Sequence, residues 1–221
     1  MKRILINLFI FLIALVANAQ NDVTQFLGIP IDGTESEMIQ KLKAKGFNST
    51  TVEPNVLEGE FNGVLVYLHI VTNGNKVWRI MVSDKNTIDE RSIQIRFNNL
   101  CRQFENNPKY MPLFQNDLIP DDENIKYETI VNKKRYQAAF IQKPSDFSTK
   151  LYSYFLTKYS ADEIKDATTE IDQDLRLMTI DYIQKYCLHK PVWFMISEYF
   201  GKYGITMFYD NENNKANGED L

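Results

Sequence analysis

Two tight-turn signals set between β-rich runs constrain this chain more than any other feature. Asn62-Gly63 and Asn73-Gly74-Asn75 place residues that tolerate a positive φ where short hairpin loops require them. The runs they separate, about 56–61, 64–72 and 76–83, are rich in Val, Ile, Leu, Tyr and Trp, which suit a pleated surface packed on at least one side. Strands joined by turns this short pair with their sequence neighbours, so the spacing predicts an antiparallel meander.

Helices flank the meander. Thr34-x-x-Glu37 is a capping box, Met38, Ile39 and Leu42 follow at helical spacing, and Gly46 supplies a stop, which predicts a helix over 34–45. Thr87-x-x-Glu90 repeats the pattern ahead of Ile93, Phe97, Leu100, Cys101 and Phe104, which recur on one helical face that a sheet can accept. Residues 20–107 therefore read as an α-β-β-β-α half. Pro108, Pro112 and Pro120, set among Asn and Asp, mark 106–124 as loop, with a connector at 108–124.

The second half, 125–221, reads as β-β-α-α-β-β. It opens with a hairpin of about 125–131 and 134–141, whose tip carries Lys133-Lys134-Arg135. After Pro144, Phe147, Leu151, Phe155 and Tyr159 recur every four residues. Ser160-x-x-Glu163 then caps a longer helix running through Ile164, Ile171, Leu175, Met178, Tyr182 and Tyr186 until Pro191 forbids continuation. Two strands, about 192–199 and 204–209, close the chain around Gly201-Lys202-Tyr203-Gly204. Val77-Trp78 and Val192-Trp193 both open an apolar strand, but the order of elements differs between the halves, so this echo is not read as a duplication. The expected fold is α+β: an antiparallel, hairpin-built sheet with helices packed on one face, arranged as one domain or as two.

The first residues carry an address. Lys2 and Arg3 form a basic start, Ile4 to Val16 an apolar run, and Ala17-Asn18-Ala19 a small-x-small cleavage signature, so residues 1–19 read as a secretory signal peptide. The apolar run is shorter than the roughly 20 residues a membrane span needs. Gln20 stands where a lipoprotein would carry cysteine, and the first cysteine is Cys101. The mature protein is thus expected in the periplasm or outside the cell, without lipid anchor or stable membrane insertion.

With 25 basic against 29 acidic side chains, and Lys2 and Arg3 leaving with the leader, a nucleic-acid partner is not expected. Cys101 sits on an apolar helix face and reads as a buried free thiol; whether it meets Cys187 is open. Catalytic signals are sparse. His69 lies within a strand and reads as a half-buried sheet histidine, and His189 near Cys187 lacks a local group to orient it as a base. There is no G-x-S-x-G elbow and no glycine-rich phosphate loop, so no cofactor or metal is expected. Asp210-Asn211-Glu212-Asn213-Asn214 starts like a calcium loop, but Lys215 and Leu221 stand where Gly and Glu are required, and a polar, frayed tail is expected. Carboxylates such as Asp121, Asp122, Glu123, Asp172 and Asp174 leave a hydrolase with a carboxylate pair as the alternative function. The leading expectation is a non-catalytic binding or accessory module for an envelope or extracellular protein or glycan. Tyr127, Tyr136, Tyr199, Tyr203 and Tyr209, near polar strand ends, are the candidate binding surface, since tyrosine joins an apolar body to a polar tip.

Two stretches, Phe26-Leu27-Gly28-Ile29-Pro30-Ile31-Asp32-Gly33-Thr34 and Arg96-Phe97-Asn98-Asn99-Leu100-Cys101-Arg102-Gln103-Phe104, make the chain resemble a group of uncharacterised secreted proteins of gut-dwelling Gram-negative bacteria. That resemblance implies export and carries no activity. Gly33-Thr34-Glu35-Ser36-Glu37, leading into a helix and a meander, is similar to periplasmic α+β modules of the outer-membrane assembly lipoprotein and β-lactamase-inhibitor type. The chain departs from the lipoprotein members in lacking their lipobox cysteine.

Overall fold

A computed structural model describes residues 22–51, 53, 55–114 and 118–216. The signal peptide expected over 1–19, with Gln20, lies outside the described residues, as does Leu221. In chain order the elements begin with β1 (Gln25–Phe26), β2 (Ile29–Pro30), α1 (Glu35–Lys43), β3 (Asn48–Ser49), β4 (Val56–Phe61), β5 (Val64–Asn73), β6 (Lys76–Asp84) and α2 (Glu90–Glu105). They continue with β7 (Tyr110–Pro112), α3 (Ile125–Ile130), β8 (Gln137–Gln142), α4 (Phe147–Phe155), α5 (Ala161–Lys165), α6 (Thr169–Tyr186), β9 (Pro191–Tyr199), β10 (Lys202–Asp210) and a 3-10 turn, Glu212–Asn214.

The fold is α+β. β1 and β2 form a small hairpin, and the other strands form an eight-stranded sheet in the order β3-β4-β5-β6-β10-β9-β8-β7, antiparallel throughout. The two halves of the sequence share this sheet because β10, last in the chain, pairs with β6 through Thr206↔Ser83 to Asp210↔Arg79.

One sheet face carries the main core. Leu57, Leu68, Ile80, Val192, Phe194, Ile205 and Phe140 are buried there against Met38 and Leu42 of α1 and Ile93, Phe97, Leu100 and Phe104 of α2. Phe97 meets Phe194 edge-on at 5.3 Å between ring centroids, and Phe104 stacks on Phe140 at 4.8 Å. These rings hold α2 on the sheet, and Phe97→Ala would cost about 3–5 kcal/mol. Side chains alternate along a strand, so Ile141 points away from Phe140. There it joins Tyr182, Cys187, Phe147 and Leu151 in a second cluster that docks α4 and α6 over the other face beside β7 and β8.

The capping box at Thr34 and Glu37 is present in both directions, and the meander has the expected strands and turns. Several expectations are corrected. The segment expected as a strand over 125–131 is the helix α3, because the Asn124 side chain accepts from Tyr127 N–H and β8 already has β7 and β9 on its two sides. The Lys133-Lys134-Arg135 triplet therefore lies in a helix-to-strand turn. The single long helix after Ser160 is broken: Ser160 caps α5, which ends at Asp166 in a non-helical conformation, and Thr168 caps α6 afresh. Asp89, not Thr87, caps α2, its carboxylate accepting from Ser92 N–H at 2.9 Å. The expected loop contains β7, paired with β8. The last hairpin turns at Phe200-Gly201 (φ 51° and 76°), one step earlier than expected, with Lys202 already paired to Tyr199. The Asp210–Asn214 segment is docked, not frayed: Asn211 is fully buried and donates to Ile31 O at 2.7 Å, and Asn214 donates to Asp32 and to Val77 O.

Candidate binding cleft and aromatic ladder

A cleft of about 690 Å³ opens where the β1–β2 hairpin, the end of the β7–β8 ladder and the start of α4 converge. Its apolar wall includes Val23, Leu27, Phe61, Phe147 and Tyr209. The Leu27-Gly28 turn has φ of 52° and 78°, the mirror-image turn that joins antiparallel strands tightly. A leucine rarely adopts that conformation, and strain of this kind concentrates at ligand sites. Leu27 is nonetheless 40% exposed along the cleft.

Gln142 sets the cleft's geometry. Its Oε1 accepts from Gln25 N–H at 2.7 Å and its Nε2 donates to Gln25 O at 3.0 Å, so one amide clamps the backbone of β1. Nε2 also lies 3.3 Å from the Tyr110 hydroxyl, to which the Tyr209 hydroxyl donates in turn. Burial pushes the phenol pKa of Tyr110 and of Tyr209 upward, so both remain neutral hydrogen-bonding groups. Behind them the buried Lys190 ammonium meets Asp22 Oδ1 at 2.6 Å. His189 Nε2 donates to Asp22 O at 2.6 Å, since a carbonyl can only accept. Lys109, Lys143, Ser148 and Thr149 line the polar end.

On the sheet face opposite the main core, the face that also carries the α4–α6 pair, lies a ladder of stacked side chains. The β5–β6 register passes from Thr72↔Val77 to Val71↔Arg79, leaving Trp78 as the extra residue of a bulge. Such a bulge re-aims neighbouring side chains, and here Arg79 Cζ lies 4.3 Å from the Trp78 ring centroid and 4.8 Å from that of Phe208. Phe208 stacks on Trp193 at 3.9 Å and 14°. Asp210, 2% exposed, accepts two bonds of 2.6 Å from Arg79 and one of 3.1 Å from Trp193 Nε1. The Val-Trp echo thus supplies two tryptophans from β6 and β9, the two neighbours of β10.

The five tyrosines do not share one surface. Tyr136, Tyr203 and Tyr209 are buried, while Tyr127 on α3 and Tyr199 at the β9–β10 tip are exposed. Only Tyr209 reaches the cleft. Tyr136 instead donates to Glu123 at 2.5 Å, and the Lys134 ammonium on the same carboxylate, with help from this bond, holds the Glu123 carboxyl below the usual range. His69 is half-buried within β5, and both cysteines are buried and free. Among the described residues no group of three His, Cys, Asp or Glu is placed to hold a metal ion, and no helix is long and apolar enough to cross a membrane. Sequence reading missed Lys109, Gln142 and Lys143, whose convergence depends on the β7–β8 pairing. Their nearest sequence signal was the proline-rich stretch beside them, which read as loop. No family model, curated protein or solved structure matches the chain.

Proposed function

We propose that the protein is an exported, non-catalytic binding module that works in the periplasm or outside the cell and receives its ligand in the cleft. The observation that carries this reading is the cleft itself, whose volume of about 690 Å³ falls within the range of small-molecule sites, with an apolar wall and a few placed polar groups. Those polar groups hold the walls together: Gln142 clamps β1, and Lys190 with Asp22 ties the start of the described chain to β9. Export rests on the basic start, apolar run and Ala17-Asn18-Ala19 signature of residues 1–19. The ligand is a component of an envelope or extracellular protein or glycan, or a free molecule of that compartment, small enough to enter.

Native mass spectrometry of protein purified from exporting cells tests both parts. The expected chain begins at Gln20 and carries a bound component that a cleft-blocking Ser148→Trp variant loses. An intact Met1 overturns export, and a wild-type protein that neither carries a component nor gains thermal stability from envelope extract overturns the binding reading. The hydrolase alternative finds two carboxylates lining the cleft, Asp22 and Asp146. Asp22 pairs with the buried Lys190, and Asp146 with Lys150 in an exposed contact. Turnover of chromogenic glycosides above background would favour it.

A further inference from the structure

We propose that the ligand of this cleft is an amphiphilic anion, its carboxylate or phosphate headgroup held by Lys109 and Lys143 and its apolar body lying along Leu27 and Phe61. The inference rests on the cleft being the ligand site and adds the chemistry of what enters it.

The β7–β8 ladder pairs Tyr110 with Gln142 and runs one step further, where Lys143 N–H donates to Lys109 O at 2.7 Å. Lys109 and Lys143 are therefore directly opposite each other. Residues so placed send their side chains to the same face with Cβ atoms roughly 4.5–5.5 Å apart, and like charges there are destabilising. Among the described residues neither ammonium takes part in an ion pair, whereas the carboxylates lining the same cleft, Asp22 and Asp146, are held by Lys190 and Lys150. The pair thus presents two positive charges without a carboxylate partner on the wall of a cavity, Lys143 resting over the Phe147 ring at 5.8 Å, an arrangement that a bound anion completes. Ser148 and Thr149 add hydroxyl donors beside them.

The other end is mainly apolar, though Glu60, Asn62 and Gln103 also line it. A second groove of about 410 Å³ shares Leu27, Phe61, Tyr110 and Tyr209 with the cleft and extends it toward Phe104 and Met207. A cationic end joined to an apolar extension selects a headgroup with a tail over a free inorganic ion.

Isothermal titration of the mature chain with decanoate, decyl phosphate, decanol and inorganic phosphate tests this below the micellar range. Decanoate or decyl phosphate is expected to bind at least tenfold more tightly than decanol or inorganic phosphate, and the Lys109→Gln/Lys143→Gln double variant is expected to lose that advantage. Without ligand at low salt, each single Lys→Gln variant is expected to melt at or above the wild-type temperature. A purely structural role for these lysines would lower it. Equal binding of decanol and decanoate, unchanged in the double variant, overturns the headgroup assignment and leaves the cleft as a neutral site. Failure of all four probes, while the Ser148→Trp variant still loses the natural component, overturns the amphiphile and leaves the binding reading. Probe binding unaffected by Ser148→Trp overturns the cleft itself.

Discussion

Arg79 holds Asp210 through one edge of its guanidinium, Nε and Nη2 each lying 2.6 Å from one carboxylate oxygen across the β6–β10 pair. The pair joins the first half of the chain to its last strand and sits where Trp78 and Phe208 enclose the guanidinium. Breaking one side leaves a shielded charge without its partner, so Asp210→Asn is expected to cost about 3 kcal/mol. Arg79→Lys keeps the charge but loses the planar fork and its stacking, for about 1–2 kcal/mol. Urea unfolding of the two variants checks the order, and a larger loss for Arg79→Lys would contradict it.

Cys101 lies in the main core and Cys187 in the second cluster. Burial pushes the Cys101 thiol up to about 12 and raises that of Cys187. Because the thiolate is the reactive form, native protein is expected to react with a thiol reagent far more slowly than unfolded protein. Denatured, non-reduced protein should release two thiols, and a count of zero would show a bridge.

Burial holds the His69 imidazole below its ordinary value of 6.5, against an opposing pull from Glu53. Above about pH 6.5 the ring is neutral folded and unfolded, and its contribution to stability is fully present. As pH falls through the depressed folded value, the unfolded chain takes up the proton first, so that contribution is lost. His69→Gln is expected to flatten the dependence of unfolding free energy on pH below 6.5. An unchanged slope would assign the pH dependence to other groups.

Gln142 makes two backbone hydrogen bonds to Gln25. Gln142→Leu leaves both backbone groups without that partner, which is expected to cost about 2 kcal/mol. Hydrogen exchange should localise the change: the Gln25 amide loses protection while the β9–β10 amides keep theirs.

Phe200 occupies the first turn position of the β9–β10 hairpin at φ 51° with its side chain fully exposed. Asparagine, already at Asn62 with φ 51°, tolerates this conformation far better. Phe200→Asn is expected to stabilise the protein by about 0.5–1 kcal/mol, read as a rise in melting temperature.

Local chemistry made much of the fold legible. The meander was readable because Asn62-Gly63 and Gly74-Asn75 tolerate the positive φ their turns require, and α1 because Thr34 and Glu37 satisfy its first N–H groups from three residues away. Where the first turn residue was apolar, as in Leu27-Gly28 and Phe200-Gly201, the same turn was passed over or misplaced. Ile125–Ile130 alternates like a strand, but a strand needs a free neighbour. The cleft left almost no sequence trace, since Gln25 and Gln142 meet across 117 residues of chain.

By itself the sequence determined the α+β class, the meander, the capped α1 helix and the burial of Cys101, all set by period, turn chemistry and capping within a few residues. Tertiary structure decided that β10 would enter the sheet beside β6, that Arg79 would find Asp210, and that Lys109 and Lys143 would sit side by side on the wall of a cleft. Local preferences act over one or two turns of chain, whereas strand pairing between distant segments is chosen by the burial and hydrogen bonding of the whole sheet.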